Sequence, residues 1–368
     1  MRTICFVAND YNFFFRHFSP ALSAARAQNA KVYLLLPVNA GATDHQISGV
    51  ELVPSPVDRH GSPIFSWIGH LFWLTVTLRR LKPHVVLAYS LRQCFLLALV
   101  QWFLSSSKIV LAITGLGILH LTTSARGRLV RKAVFCVIRI AAIRSRCHFI
   151  FENRSDPIRL GLEVDQCERS VFLMGAGVDL SDFPLTDLPC SPPLRLATVS
   201  RLIWSKGVDV AARVVSSLAS EGHPVQLSIY GIPDAANPRP TDVQTLQGLP
   251  GVRYCGFTER VDIVWQDHHV ALFMSRGGEG LPRSLLEAAA CGRPSIVTAV
   301  PGCEDFVRDG IDGYVVPVND EASARDAILK LLNAPRAIAT LGTNARQRVV
   351  ANSTTAIIQA RYEKLFCT

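Results

Sequence analysis

The stretch SRGGEGLPRSLLEAAACG, residues 275–292, holds two carboxylates eight residues apart. Glu279 follows a pair of glycines, and Glu287 lies in an otherwise apolar run. Gly277, Gly278 and Gly280 follow the apolar segment VALFMS, so the chain can turn tightly there and present bare backbone N–H groups at the start of a helix. This pattern predicts a binding site for an anion such as a phosphate.

The two acids are expected to reach different parts of one elongated ligand. From a helix start near Pro282, Glu287 lies about one and a half turns inside the helix, while Glu279 stays in the preceding loop. Carboxylates accept hydrogen bonds from the paired hydroxyls of sugars, and a buried acid without such a partner is costly.

A pair of cations heads the same half of the chain. In SRLIWSKGVDVAARVV, Arg201 ends an apolar strand and Lys206 precedes a helix. Both side chains are expected to converge beside the glycine loop, which predicts a clamp for a diphosphate.

Short apolar runs that alternate with longer amphipathic runs are the elements that must position these residues. The first half predicts strands at TICFVA, VYLLLP, VVLAYS, IVLAI and HFIFE, with helices over 19–28, 66–81, 93–104 and 126–144. The second half predicts strands at LRLATVS, VQLSIYG, VRYCGF, VALFMS, PSIVT and GYVVP, with helices from Gly207, near Thr241, near Arg260, over 283–291 and in the terminal region. Alternation of this kind predicts α/β domains with doubly wound parallel sheets.

A chain of 368 residues suits two such domains. The proline-bearing stretch FPLTDLPCSPP, residues 183–193, interrupts the rhythm and is predicted as the linker. We predict an N-terminal acceptor-binding domain over 1–183, a donor-binding domain over 184–353, and a terminal helix over 354–368 that returns to the first domain. Ligands of such sheets bind at the carboxyl ends of the strands, so a cleft between the domains is the expected site.

Positive charge is concentrated in the first half of the chain. Residues 1–190 carry a net charge of +8 and residues 191–368 carry +1. Between Asp58 and Glu152 there are 13 Lys or Arg residues and no acid, together with the apolar runs IFSWIGHLFWLTVTL and FLLALVQWFL. The favoured interpretation is contact with an anionic membrane surface. For the apolar runs taken alone, core helices with solvated basic faces are favoured instead, and the span contains no recognisable motif for nucleic acid.

The ten cysteines are scattered without a C-x-x-C pair, and several lie in apolar runs, which favours a reduced, cytosolic protein without structural zinc. The N-terminal MRTICFVAND is typical of a first strand rather than a signal peptide.

The stretch from Ser275 to Asp320 resembles the Glu-x7-Glu motif and its continuation in family 4 retaining glycosyltransferases, which have the two-domain GT-B fold. SRLIWSKG, GAGVDLSDFP and GVRYCGFTERV resemble further segments of that family. In the first half, NDYNFFFRHFSPALSAA, LKPHVV, ITGLG and FENRSD resemble the branch that builds bacterial capsules, O-antigens and lipid-linked oligosaccharides.

The resemblance implies a role for each matching residue. Arg201 and Lys206 would bind the donor diphosphate, Glu287 the ribose hydroxyls, and Glu279 the donor sugar. Backbone groups of Gly278, Gly280 and Leu281 would contact sugar or phosphate, and Gly256, Phe257 and Thr258 would frame the base. The donor would be a nucleoside-diphosphate hexose or N-acetylhexosamine, with UDP favoured over GDP.

The resemblance also implies retention of anomeric configuration without a bound metal or other cofactor, because Arg, Lys and a helix dipole can meet the charge of the leaving group. The implied acceptor is a saccharide on a polyprenyl diphosphate at the cytoplasmic face of the membrane. Arg16, His120, Asn153 and Arg154 are candidates to contact it, although a structural or loop role is favoured for His120, and surface positions for Arg16 and Arg154 are equally compatible with the sequence.

Three other functions share parts of this pattern. A family member could act on a small soluble acceptor, a non-catalytic protein could use the same fold to bind a nucleotide sugar, and a UDP-sugar epimerase has the same architecture. The basic apolar span disfavours the first, the retained Glu279 disfavours the second, and the lack of a set of acids and histidines disfavours the third.

Overall fold

The computed structural model describes residues 1–37, 49–56, 64–235, 237 and 239–367. It divides into two compact units, of which unit 1 comprises Met1–Ala176 with Thr355–Thr368 and unit 2 comprises Gly177–Thr354. Each unit is built on a parallel sheet with helices between its strands, so the predicted α/β class is confirmed.

The sheet of unit 1 has the strand order β3-β2-β1-β4-β5-β6-β7, in which every neighbouring pair is parallel. Its strands are β1 (Thr3–Val7), β2 (Lys31–Leu36), β3 (Val50–Pro54), β4 (Val85–Tyr89), β5 (Lys108–Ile113), β6 (Cys147–Phe151) and β7 (Ser170–Phe172). Its first helices are α1 (Tyr11–Ala27), α2 (Ile64–Leu81), α3 (Leu91–Val100), α4 (Gly117–Leu121), α5 (Ala125–Ala142), α6 (Ser155–Leu160) and α7 (Val164–Glu168).

The helices of unit 1 cover both faces of its sheet. Buried residues of α2, α3 and α5 form one apolar cluster with one face of the strands, and buried residues of α1 form another with the opposite face. Helix α1 begins where the side chain of Asp10 accepts a hydrogen bond of 2.8 Å from the N–H of Phe13. This cap starts the helix at Tyr11, well before the predicted start at Ser19.

Unit 2 repeats the same architecture with the strand order β10-β9-β8-β11-β12-β13. Its strands are β8 (Leu194–Val199), β9 (Val225–Tyr230), β10 (Val252–Gly256), β11 (Val270–Phe273), β12 (Ser295–Thr298) and β13 (Gly313–Val316). Its helices are α8 (Val208–Ser220), α9 (Val261–Asp267), α10 (Arg283–Ala290), α11 (Cys303–Phe306), α12 (Glu321–Asn333) and α13 (Pro335–Asn352). The prediction of a helix near Thr241 is wrong. That region holds only a 3-10 turn at Gln244–Leu246, and the flanking Pro240 and Gly248 leave little room for an α-helix.

The terminal helix α14 (Thr355–Cys367) belongs to unit 1 and packs against α1. Its buried side chains are those of Ile358, Tyr362, Leu365 and Phe366, and the ring of Phe366 lies 6.1 Å from that of Phe6 in β1. The Nζ of Lys108 donates to the carbonyl of Leu365 over 2.7 Å.

The proline-bearing segment predicted as a linker is held against unit 2. The buried guanidinium of Arg293 donates to the carbonyls of Thr186 and Asp187, at 2.9 Å each, and His269 Nε2 lies 2.9 Å from the carbonyl of Pro189. Val178 N–H also donates to the carbonyl of Ser353. The first boundary between the units therefore falls after Ala176 and not after Phe183.

The start of α8 requires a glycine. Gly207 has φ +62°, and a Cβ at this position would lie 1.8 Å from the carbonyl oxygen of Met274 at the end of β11. Gly222, beyond the other end of α8, has φ +87° with open space around it.

We expect Gly207→Ala to destabilise unit 2 by several kcal/mol, since it combines backbone strain with a clash against a main-chain atom. Gly222→Ala is the matched control, because it adds strain alone and should cost about 1–2 kcal/mol. Urea unfolding followed by fluorescence measures both. Equal shifts of the two midpoints would mean that the contact with Met274 does not constrain the fold.

Candidate active site

Arg201 and Lys206 lie in the segment that follows β8, as the sequence predicted. Arg201 Nη1 is 2.9 Å from Oδ2 of Asp234, which follows β9. Lys206 ends the 3-10 turn Trp204–Lys206, immediately before Gly207 and α8. The carboxyl end of the sheet thus carries both predicted cations.

Lys206 and Glu279 form an ion pair. The Nζ of Lys206 donates to Oε2 of Glu279, and the Oγ of Ser275 donates to Oε1 over 3.0 Å. The two side chains are only 16% and 17% exposed, so the pair is largely removed from water. The two residues were predicted to contact different parts of a donor, and here they contact each other.

The glycine loop between β11 and α10 has the tight path that the sequence indicated. Gly277 and Gly278 adopt φ values of +115° and +84°, which favour glycine. A Cβ on Gly302 would lie 2.0 Å from the carbonyl oxygen of Gly280, so this second glycine lets the α11 segment approach the loop. The buried side chain of Leu281 anchors the loop just before α10 begins.

Glu287 lies in α10 and is 7% exposed. The Nε of Arg283, one turn earlier in the same helix, donates to Oε1 of Glu287 over 2.8 Å. The sequence analysis expected a ligand hydroxyl as the partner of this acid and missed Arg283. The signal was available, because a basic residue four positions before an acid on a helix is a standard ion pair.

The predicted base-binding segment begins at Gly256, the last residue of the edge strand β10. Gly256 has φ +75° and its carbonyl accepts from Gly231 N–H over 2.8 Å. The ring of Phe257 is exposed, and the Oγ1 of Thr258 accepts from the N–H of Arg260 over 3.1 Å. These residues present an exposed aromatic ring and a bare backbone, groups that suit a base.

Arg276 is a further charged residue of this region that the sequence analysis did not select. Arg276 directly follows Met274 and Ser275, at the end of the apolar segment VALFMS. A long cationic side chain among small and apolar residues was the signal in the sequence that could have identified it. Its guanidinium binds Asp209 in the first turn of α8. Burial alone would raise the pKa of Asp209, but hydrogen bonds from Arg276 and Arg213 hold it below its usual value. Asp209 is therefore charged at neutral pH.

Cys303 lies near the Lys206–Glu279 pair but is not placed to act as a nucleophile. Burial raises the pKa of its thiol well above the ordinary value, and the negative charge of Glu279 raises it further. The thiol consequently stays protonated at neutral pH, and a protonated thiol is a poor nucleophile.

The acceptor candidates of unit 1 have varied surroundings. The ring of His120 is half-buried with Nε2 2.9 Å from Nη1 of Arg159, and burial together with the charges of Arg159 and Arg131 lowers its pKa. Asn153 is buried and both atoms of its amide bind Asp156 over 2.8 Å, an arrangement that stabilises the start of α6. Arg16 and Arg154 have exposed side chains. Their contact with an acceptor stays a prediction.

The described ranges of the chain also bear on metal binding and on the bilayer. Among these residues no group of three or more His, Cys, Asp or Glu side chains is arranged to hold a metal ion. In the same ranges, none of the helices combines the length and the apolar character that a bilayer crossing demands.

Residues 193–334 match the family model described as glycosyl transferases group 1. A putative colanic acid biosynthesis glycosyltransferase, WcaL of Salmonella typhimurium, is 30% identical over 39% of this chain and 37% of its own length. N,N'-diacetylbacillosaminyl-diphospho-undecaprenol alpha-1,3-N-acetylgalactosaminyltransferase of Campylobacter jejuni is 23% identical over 94% of this chain and 93% of its own length. The chain spans only 18% and 37% of the length of the first two curated relatives that it matches.

Solved structures share the fold of the whole chain. Sucrose-phosphate synthase of Thermosynechococcus elongatus superposes with a TM-score of 0.80 at 18% identity, over 100% of this chain and 98% of that one. HepE of Anabaena, solved in complex with UDP and glucose, superposes with a TM-score of 0.76 at 14% identity over 100% of both chains. The GT-B fold expected from the sequence is confirmed.

Proposed function

We propose that this chain, whose residues 193–334 match the model of group 1 glycosyl transferases and whose fold is GT-B, is a retaining glycosyltransferase. It moves a hexose or N-acetylhexosamine from a nucleoside diphosphate, with UDP favoured, to a saccharide on a polyprenyl diphosphate. The product would enter a bacterial surface polysaccharide or glycan. The observation that carries the proposal is the Lys206–Glu279 pair, which joins the segment after β8 that also contains Arg201 to the glycine loop after β11.

The donor side of the proposal rests on the chemistry of this cluster. Arg201 and Lys206 supply positive charge for a diphosphate, and the glycine loop supplies backbone N–H groups near the start of α10. Glu279 and Glu287 are acceptors for hydroxyls of the sugar and the ribose. UDP is favoured because the HepE complexes that share the fold contain UDP and glucose or UDP-glucose.

In the proposed reaction the bond between the anomeric carbon and the diphosphate oxygen breaks, and a bond to the acceptor hydroxyl oxygen forms on the same face. The proton of that hydroxyl passes to the departing diphosphate, so a separate general base is not required. Lys206 and Arg201 stabilise the charge that develops on the leaving group, a contact worth several kcal/mol when one donor of this kind is removed. These cations take the part that a metal ion would otherwise play.

The acceptor side rests on relatives and on the surface of unit 1. The name of the Campylobacter relative states a sugar on diphospho-undecaprenol as its acceptor. On α2, the exposed residues Ile68, Phe72 and Val76 recur every fourth position and form one apolar stripe. Helix α5 and its C-cap Ile143 carry a second outward stripe, formed by Leu129, Ala133, Cys136, Ile140 and Ile143 and flanked by exposed Arg128, Lys132 and Arg139.

Both stripes lie on helices that cover the same face of the unit 1 sheet. An apolar surface fringed with arginine and lysine suits an interface that offers acyl chains beneath anionic headgroups. We therefore propose peripheral association with the inner face of the cell membrane. Residues 59–63 of the basic span lie outside the described residues.

The activity is tested by release of nucleoside diphosphate from a panel of UDP- and GDP-sugars. EDTA is present, and an extract of polyprenyl-diphosphate sugars is the acceptor. We expect release from one donor that requires the acceptor and is lost in Glu279→Gln, while UDP binding measured by calorimetry persists. The proposal fails if no donor is consumed although UDP binds, a result that would favour a non-catalytic nucleotide-sugar-binding protein. Equal release from a small soluble acceptor would favour a soluble transferase.

Lys206→Ala should lower kcat for the consumed donor by about 100-fold or more, because it removes one charge that stabilises the leaving group. Lys330→Ala, which removes a lysine from α12, is the control and should leave kcat unchanged. Steady-state rates at saturating donor measure both. A rate near that of the wild type in Lys206→Ala would refute the role assigned to this residue.

Flotation with liposomes containing anionic lipid tests the membrane surface. We expect binding that weakens as the salt concentration rises, since electrostatic attraction is screened. Phe72→Glu should reduce flotation strongly, whereas Val350→Glu, at an exposed apolar position on α13, should not. Flotation that is absent, or that the two variants reduce equally, would contradict the assignment.

A further inference from the structure

Arg276 makes contacts that extend to three other segments of unit 2. Its side chain is 7% exposed. Its Nη1 and Nη2 lie 2.8 and 2.7 Å from the two carboxylate oxygens of Asp209, and its Nε lies 2.8 Å from Oδ1 of Asn319. A buried guanidinium with this many partners is held in one orientation.

The same residue holds the turn that ends in Lys206. Arg276 Nη1 donates to the carbonyl of Trp204 over 2.5 Å, and its backbone N–H donates to the carbonyl of Ser205 over 2.7 Å. The guanidinium also lies over the Trp204 ring, 4.9 Å from its centre. Both residues that precede Lys206 are thus bound to Arg276.

Arg276 is equally part of the loop that carries Glu279. Its neighbour Ser275 donates to Glu279 Oε1, and the two glycines that follow complete the turn to the acid. One residue therefore joins the main chain before Lys206 to the main chain before Glu279. The Lys206–Glu279 pair depends on the distance between those two segments.

We infer that Arg276, bound to Asp209, is a positioning residue that holds the Lys206 turn against the Glu279 loop. The effect on turnover rests on the function proposed above. The ammonium of Lys206 must meet the leaving diphosphate at a defined distance, and a misplacement of about 1 Å can cost about 100-fold in rate. Arg276 itself would not contact the donor.

Arg213, a second ion-pair partner of Asp209, provides a matched control. Arg213 also binds Asp209, with Nη1 3.1 Å from Oδ2, and it binds Glu321, but neither residue that precedes Lys206 is among these partners. Arg213→Ala therefore removes an ion pair of Asp209 without releasing the Lys206 turn. Comparing Arg276→Ala with Arg213→Ala therefore separates two effects. One is the loss of an ion-pair partner of Asp209, and the other is the loss of the contact that positions the Lys206 turn.

The first experiment needs no activity. The rate at which Lys206 is acylated by a soluble reagent, measured by mass spectrometry against the exposed Lys364, reports how firmly Lys206 is held by Glu279. We expect acylation of Lys206 to rise about tenfold or more in Arg276→Ala and to stay unchanged in Arg213→Ala. Unchanged acylation in Arg276→Ala would overturn the inference, whatever the fate of the proposed function.

The second experiment measures kcat and KM with the sugar nucleotide that the wild type consumes, well below the unfolding temperature of each variant. Arg276→Ala should lose about 30- to 100-fold in kcat with little change in KM, on the scale expected for a displaced catalytic group. Arg276→Lys should recover part of this loss, because an ammonium can bind one acceptor but cannot reproduce the bidentate contact. Millimolar guanidinium should restore activity to Arg276→Ala and not to Lys206→Ala.

A purely structural role predicts other results. Arg276→Ala would then lower the unfolding temperature but keep the wild-type kcat below it, and guanidinium would have no effect on turnover. If Arg276→Ala does not fold, Asp209→Asn removes the charge that orients Arg276 while keeping the shape of the side chain. It should raise Lys206 acylation in the same direction, and an unchanged rate would overturn the inference.

Discussion

The Lys206–Glu279 ion pair depends on the close contact between the main chain that follows β8 and the main chain that follows β11. The two strands are neighbours in the sheet, so the segments beyond them leave at the same edge. A side chain on Gly207 would collide with the carbonyl of Met274, and the N–H of Arg276 donates to the carbonyl of Ser205. Because the two segments are in contact, Lys206 on one of them can reach Glu279 on the other.

That contact also marks the limit of what the sequence could predict. The sequence placed Arg201, Lys206, Glu279 and Glu287 at strand ends and helix starts, because apolar runs, glycines and a helix-starting proline are local signals. The adjacency of β8 and β11 is a property of sheet order, since they are separated by β9 and β10 in the chain. Ion pairs between residues far apart in sequence, such as Lys206 with Glu279 or Arg276 with Asp209, could not be read from either segment. The short edge strand β3 was also missed, because its alternating and half-exposed residues give a weak signal.

The segment before β8 shows how one buried charge can change the meaning of a sequence pattern. Prolines and polar residues over 183–193 are typical of a flexible linker. Arg293 is almost fully buried, and burial lowers the pKa of its guanidinium. It is satisfied mainly by carbonyl groups, including those of Thr186, Asp187 and Trp265. A buried guanidinium needs acceptors for its N–H groups, and buried carbonyls need donors. The hydrogen bonds between Arg293 and these carbonyls satisfy both groups, and they fix the segment on unit 2.

In the function proposed above, the Lys206–Glu279 pair would let the site be both stable and ready to bind a donor. Lys206 and Glu279 are both largely buried, and each charge would be costly if it lost water without a partner. Paired, they satisfy each other in a largely desolvated position. Under the proposed function, donor binding would exchange the carboxylate partner of Lys206 for a diphosphate and the ammonium partner of Glu279 for sugar hydroxyls, so each group would change one polar partner for another. The side chains would then need little reorganisation, and the positive charge of Lys206 would meet the negative charge that develops on the leaving group, which is the condition for effective electrostatic stabilisation.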